Sequence, residues 1–152
     1  MALNEAFVGR SFTYPGTYLV GREKVREFAA SIGDAGPASH DVAAAQALGY
    51  RDVVAPPTFA IVLALRASTA VVMDPQLGLD YTRVVHGEQA FDHSRPIVAG
   101  DELSIVTTIE SVRKAAGNDI IATVGHVTDS DGNLVLTTRS VLVSRGPDEA
   151  AE

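Results

Sequence analysis

The spacing of apolar and polar residues predicts two helices in the first third of the chain. In GREKVREFAASIG, residues 21–33, the apolar side chains fall at i, i+3, i+4 and i+7, which is one face of a helix, and Gly33 is the expected stop. In DVAAAQALGY, residues 41–50, Asp41 is the expected N-cap of a shorter helix that ends at Gly49. A strand is predicted before both helices, over residues 10–20.

One segment is apolar on almost every side. PPTFAIVLALRASTAVVM, residues 56–73, opens with two prolines, which a helix accepts only in its first turn. A helix without a polar face is usually one that the rest of the fold encloses. We therefore predict a central, buried helix over these residues.

After Asp80 the pattern changes to that of strands. The segments 81–93, 101–114, 118–129 and 133–145 are rich in Val, Ile and Thr. KAAGND and DSDGN, between the last three segments, are typical of hairpin turns. Helices followed by a run of antiparallel strands indicate an α+β fold, in which a curled sheet packs around a single helix.

Length and charge fit one domain that binds neither nucleic acid nor membrane. The chain has 152 residues, a net charge of −7 and no cationic cluster longer than the pair Arg113 and Lys114. A negative surface disfavours binding to phosphate backbones and anionic lipids. We expect one domain over residues 1–146 and a disordered tail over residues 147–152.

The lack of cysteine and the N-terminal residues bear on the compartment. A chain without cysteine has no disulfide and no thiol catalysis, which suits a reducing cytosol. MALNEAFVGR lacks the basic segment and apolar run of a secretion signal. The longest apolar stretch, residues 53–65, is far shorter than the roughly 20 residues of a spanning helix. We expect a soluble, cytoplasmic protein.

Four segments, in order, resemble a known family. They are REKVREFAASIGD, ALGYRDVVAPPTF, LDYTRVVHGEQAFDHSRPIVAGD and DSDGNLVLTTRSVLVSR. They resemble MaoC-like (R)-specific enoyl-thioester hydratases and hydroxyacyl-thioester dehydratases of the hotdog fold. The resemblance is closer still to FAS1-type N-terminal dehydratase domains and to the small subunits of heterodimeric (3R)-hydroxyacyl-ACP dehydratases. It covers roughly residues 7–145 and implies an antiparallel curled sheet wrapped around one long central helix.

The resemblance implies an active loop that begins at Asp34. The family's loop reads Asp-x-Asn-Pro-x-His, and its Asp and His hold the water that adds to C3 of the enoyl thioester. In this chain Asp34 and Pro37 occupy their family positions, but Ser39 occupies the His position and His40 follows one residue later. A side chain displaced by one position in an extended turn points to roughly the opposite side. A serine hydroxyl does not titrate near neutral pH.

Three functions follow from this loop. In the first, the chain binds substrate as a subunit of an (R)-specific 3-hydroxyacyl-ACP or -CoA dehydratase, and a partner supplies the chemistry. In the second, the loop rearranges and Asp34 and His40 make the chain a self-sufficient homodimeric hydratase. In the third, the chain is a non-enzymatic module that binds acyl thioesters, Asp34 caps a turn and His40 is solvated.

The resemblance also implies substrate-binding residues at two further places. The family's central helix starts with a Gly whose N–H helps to bind the thioester oxygen, whereas Pro56 and Pro57 have no N–H to offer. The first-turn positions Pro57, Thr58 and Phe59 remain candidates for binding substrate. His86 and Gly87 are candidates for lining the acyl channel or a dimer contact.

No metal or cofactor is expected. His93 and His126 are isolated in the sequence and have no second ligand at metal spacing. The chain contains neither a Gly-rich phosphate loop nor a Gly-x-Ser-x-Gly motif. The expected ligand is an acyl-ACP or acyl-CoA thioester.

The resemblance implies a partner chain. Hotdog units pair edge to edge into one continuous sheet, and the acyl chain enters between the protomers. We expect either a homodimer or a heterodimer with a MaoC-like catalytic subunit.

Overall fold

The computed structural model describes residues 3–146, so the predicted tail over residues 147–152 lies outside the described residues. Two short strands open the fold, β1 (Ser11–Thr13) and β2 (Tyr18–Leu19). The single strand predicted over residues 10–20 is therefore interrupted. The break contains Pro15 and Gly16, and Gly16 has a φ of 76°, which a strand does not accommodate.

Three helices follow: α1 (Arg22–Ser31), α2 (Pro37–His40) and α3 (Val42–Ala47). The predicted ends of α1 and α3 are confirmed. Gly33 has a φ of 74° just beyond α1. The carboxylate of Asp41 accepts a hydrogen bond from the N–H of Ala44 at 2.7 Å, as an N-cap does.

The central helix α4 (Ile61–Val72) is shorter and less buried than predicted. Residues 57–60 form a turn ahead of it, so the regular helix begins five residues after Pro56. Its inner face buries Leu63, Ala67, Val71 and Val72. Leu65 is 52% exposed, and Met73, at the end of the helix, is 56% exposed. Apolar composition correctly predicted the helix but not that Leu65 and Met73 face outward.

Four long antiparallel strands complete the sheet. They are β3 (Val84–His93), β4 (Glu102–Ala115), β5 (Asn118–Thr128) and β6 (Leu134–Ser144). The strand order is β1-β4-β5-β6-β3, and β2 also pairs with β4, so β3 lies at one edge. Both predicted hairpins are present, and Gly117 and Gly132 hold positive φ in their turns. The α+β class and the curled-sheet arrangement are confirmed.

The core between α4 and the sheet is divided into two apolar clusters. One surrounds Phe59 and Leu136, and the other surrounds Ile109 and Ile121. The sheet also buries threonines at positions 107, 123 and 138, together with Gly125. In residues 3–146 no helix is long and apolar enough to span a membrane.

Candidate active site

The loop after α1 holds Asp34 in a fixed turn. The N–H of Asp34 donates to the carbonyl of Ala29 at 2.9 Å, and its Oδ1 accepts from the N–H of Gly36 at 2.8 Å. A Cβ at position 36 would lie 2.9 Å from that same oxygen. Glycine at position 36 therefore allows the carboxylate to close back onto the turn.

Ser39 and His40 have different surroundings. Ser39 is buried, and its hydroxyl donates to the carbonyl of Val54 at 2.7 Å. Nε2 of His40 lies 2.6 Å from the main-chain oxygen of Asp34, and because a carbonyl only accepts, Nε2 carries the proton. The ring of His40 therefore binds the backbone of Asp34 and not its carboxylate.

A cleft of about 450 Å³ lies beside this loop. Asp34, Ser39 and Pro57 line it, together with His93 and Arg95. Thus the structure brings one proposed catalytic residue and one proposed binding residue to the same space. His40, Thr58, Phe59, His86 and Gly87 are not among the residues that line the cleft.

Three residues at the entrance to α4 have no N–H available to a thioester oxygen. Pro56 and Pro57 have no N–H, and the N–H of Phe59 already donates to the carbonyl of Pro56 at 2.9 Å. The ring of Phe59 packs edge-on against Phe28 in the core, with centroids 5.4 Å apart. Thr58 is exposed. In this arrangement the N–H of Phe59 is not free to polarise a carbonyl.

His86 and Gly87 lie near the start of β3, at the end opposite to His93. Nε2 of His86 lies 3.1 Å from Oε1 of Gln89 and 3.3 Å from the hydroxyl of Ser140. Gly87 occupies a bulge in the pairing with β6, where a Cβ would meet the carbonyl of Val141 at 3.3 Å. In the single chain, these two residues are therefore part of the sheet edge and not of the cleft.

Sequence reasoning missed the histidine that does line the cleft. Nε2 of His93 lies 2.8 Å from the carbonyl oxygen of Pro57 and donates to it. Nδ1 of the same ring is buried and has no hydrogen-bond partner in the described part of the chain. Pro57 lies 36 residues away in sequence, so no local spacing could reveal the contact. The alternation along β3, which puts Phe91 and His93 on one face, is the only signal available.

A buried carboxylate fixes the wall of the cleft. Asp101 accepts from Arg95 at 2.8 and 3.2 Å, from Arg51 at 2.5 Å and from the N–H of Val98 at 2.9 Å. Burial alone would raise the pKa of Asp101, but the hydrogen bonds from Arg95, Val98 and Arg51 outweigh it and hold the pKa below its ordinary value. Arg95 also reaches Asp129 at 3.3 Å. The guanidinium of Arg95 is therefore held by carboxylates of its own chain.

The sequence model of the FAS1-like dehydratase domain region matches residues 6–138. The chain belongs to the FAS1-like dehydratase-domain family. A UPF0336 protein of Streptomyces griseus is 53% identical over 150 residues, which is 99% of this chain and 100% of that protein. These relationships, together with the fold, support a hydratase or dehydratase function.

Two solved structures are similar in both sequence and fold. A MaoC-like dehydratase is 40% identical with a TM-score of 0.87 over 94% of this chain, although this chain spans only 43% of that protein. A C-terminally truncated HadBC (3R-hydroxyacyl-ACP dehydratase) complex from Mycobacterium tuberculosis is 34% identical, with a TM-score of 0.82. That match covers 90% of this chain and 96% of the other. The chain therefore has the MaoC-like hotdog fold.

Proposed function

We propose that this chain is the acyl-thioester-binding subunit of a cytoplasmic (R)-specific 3-hydroxyacyl-ACP or -CoA dehydratase, working with a catalytic MaoC-like partner. The observation that carries the proposal is the position of two neighbouring side chains. Ser39, at the family's histidine position, lines the cleft beside Asp34, whereas His40 donates to the main chain of Asp34.

The chemistry of hydration explains why this arrangement supports a binding role. Water adds its oxygen to C3 of the enoyl thioester while C2 gains a proton, so the site needs an acid–base pair that shares the water. Asp34 supplies one carboxylate, but the hydroxyl of Ser39 does not titrate near neutral pH and already donates to Val54. The prolines at the entrance to α4 further weaken any site for the thioester oxygen. A partner with an intact Asp–His pair would complete the reaction.

Two exposed surfaces support the proposal of a partner chain. β3 ends the sheet, and its outer edge has no paired strand within residues 3–146. An unpaired edge with an exposed Val85 is a ready template for another strand. The outward side of α4 exposes Leu65 and Met73. Edge pairing and helix contact would together cover these apolar groups.

Hydration of crotonyl-CoA and longer enoyl-CoA substrates tests the proposal. The purified chain is assayed alone and mixed with a MaoC-like partner that carries the Asp–His loop. We expect activity only in the mixture, and His40→Ala should not abolish this activity. His126→Ala is the matched control, because His126 is exposed on β5 and away from the cleft.

Other outcomes would identify the alternatives. Activity of the chain alone, lost in both Asp34→Asn and His40→Ala, would overturn the proposal and identify a self-sufficient homodimeric hydratase. Acyl-thioester binding without turnover in any mixture would indicate a non-enzymatic binding module.

A further inference from the structure

His93 has one satisfied and one unsatisfied nitrogen. Its Nε2–H donates to the carbonyl of Pro57 at 2.8 Å, which fixes the tautomer and leaves Nδ1 as an acceptor. Nδ1 is buried, and nothing among residues 3–146 donates to it. Rotating the ring by half a turn would replace the Nε2 donor with a carbon, so the contact with Pro57 also fixes the ring orientation.

A buried acceptor without a donor is rare in a folded protein. Most buried polar side-chain atoms have a partner, and an exception calls for a physical explanation such as a bound water or ligand. In the neutral ring Nδ1 has given up its hydration without gaining a hydrogen bond in return. A donor that arrives from outside the chain would recover that loss.

The surroundings of the ring indicate where such a donor enters. On one side the ring packs towards Phe91, with centroids 6.5 Å apart, and the strand pairing places Leu136 opposite it in β6. His93 also lines the cleft that contains Asp34 and Ser39. The ring of His93 therefore borders a space that is large enough to hold part of a ligand.

We infer that His93 is a substrate-positioning residue, whose Nδ1 accepts a hydrogen bond from an N–H or O–H of an acyl thioester bound in the cleft. The inference rests on the function proposed above. The donors that such a thioester carries near its reactive end are the amide N–H groups of the pantetheine arm and, in the hydrated form, the hydroxyl on C3. Pro57 anchors the ring from the entrance of α4. Because Nδ1 is buried, the ligand must displace neighbouring side chains of the cleft wall to reach it.

Two substitutions separate this role from a structural one. His93→Gln places a donor near the position of Nε2 and keeps the contact with Pro57, but it loses the acceptor at Nδ1. His93→Asn places a carbonyl oxygen near the position of Nδ1 and loses the contact with Pro57. A positioning role predicts weaker binding in His93→Gln and at least partial retention in His93→Asn, whereas an anchoring role predicts the reverse.

Calorimetric titration of the purified full chain, in the assembly it forms, measures the effect. The probes are crotonyl-CoA, (3R)-3-hydroxybutyryl-CoA and free CoA. Loss of one hydrogen bond should lower the affinity of His93→Gln about fivefold to tenfold. His126→Gln, which changes an exposed histidine outside the cleft, should bind like the natural chain. If His93→Gln loses affinity for the hydroxyacyl probe alone, the donor is the C3 hydroxyl. If it loses affinity equally for all three probes, the donor is a pantetheine amide.

Nitrogen-15 spectra of the ring give a second readout that folding defects do not mimic. Addition of the bound probe should move the unprotonated Nδ1 resonance of His93 upfield, and the protonated Nε2 resonance should stay in place. If the natural chain binds the probes, but His93→Gln binds equally well and Nδ1 does not respond, this inference fails and the proposed function stands. If the natural chain binds no probe, alone or with a partner, the proposed function fails and the inference fails with it.

Discussion

Asp101 is the residue whose replacement tests the electrostatic reasoning most directly. Its side chain is 3% exposed and accepts four hydrogen bonds, three of them from guanidinium groups. Asp101→Asn keeps the shape and removes the charge. If the new NH2 group takes the place of Oδ1, it faces the donors of Arg51 and Arg95. If it takes the place of Oδ2, it faces the donors of Arg95 and Val98.

The size of the loss follows from the exposure of each partner. Hydrogen bonds to charged groups contribute about 1.5–3 kcal/mol each, and breaking a buried ion pair costs about 3–5 kcal/mol. Arg51 is 60% exposed and regains water, so its share is small. Arg95 is 34% exposed and keeps its contact with Asp129. We therefore expect the free energy of unfolding to fall by about 3 kcal/mol, or roughly 6–12 °C in Tm.

Urea unfolding followed by circular dichroism at pH 7 measures this loss, and Asp52→Asn is the matched control. Asp52 also pairs with an arginine, Arg22, at 2.7 Å, but the Asp52 side chain is 21% exposed, against 3% for Asp101. The control should lose less than about 1 kcal/mol. If Asp101→Asn lowers the free energy of unfolding no more than the control does, burial does not strengthen the ion pairs of Asp101.

The difference in unfolding free energy between the natural chain and Asp101→Asn should change with pH in one direction only. The pKa of Asp101 is lowered in the folded chain, so its stabilisation is complete above the unfolded pKa of about 3.9 and is lost as the pH falls through the lower folded value. The stability gap between the natural chain and Asp101→Asn should therefore be constant from pH 7 to about pH 5 and shrink below about pH 4. A gap that shrinks between pH 7 and 5 would contradict this assignment.

Three further substitutions test individual contacts. Gly125→Ala places a methyl group 2.7 Å from Cγ2 of Thr138, and thermal melting should show a loss of about 1–3 kcal/mol from overpacking. An unchanged Tm would mean that the side chains of Thr138 and Ile105 have room to move away. Asp41→Ala removes the N-cap of α3 and should cost about 1 kcal/mol in urea unfolding, with Asp41→Asn as the variant that restores it. Gly36→Ala places a methyl group 2.9 Å from the carboxylate of Asp34. It should weaken enoyl-CoA binding about fivefold, equivalent to one hydrogen bond, while Tm changes little. Equal affinity would show that the Asp34 carboxylate does not contact the ligand.

Local signals in the sequence predicted most of the fold. Gly33 and Asp41 mark helix ends because their backbone or side-chain chemistry acts within a few residues. The Val- and Thr-rich segments became β3 to β6 with ends shifted by a few residues at most. The exposed side of α4 could not be predicted in this way. Leu65 and Ala67 are both apolar, and only the three-dimensional placement of the sheet decides which one is covered.

The candidate site was less predictable, because its contacts are distant in sequence. The loop resemblance singled out Asp34, which lines the cleft, and the one-residue displacement of the histidine was visible in the sequence. The contact between His93 and Pro57 joins residues 36 apart, and the ion pair between Arg51 and Asp101 joins residues 50 apart. No periodicity encodes such contacts, since they depend on where β3 passes the start of α4. They are nevertheless the contacts that give the cleft its polar wall.

The exposed side of α4 is too small to hold the proposed partner alone. Fully burying an aliphatic or methionine side chain contributes about 1.5–3 kcal/mol, and Leu65 and Met73 are already about half buried, so together they would add roughly 2 kcal/mol. Micromolar association needs about 8 kcal/mol after the loss of rotational and translational freedom. If the proposed partner pairs with β3, backbone hydrogen bonds and alternate side chains along that strand would supply part of the remainder. The partner proposed above, a second hotdog chain, would bring both an edge strand and a helix to these surfaces.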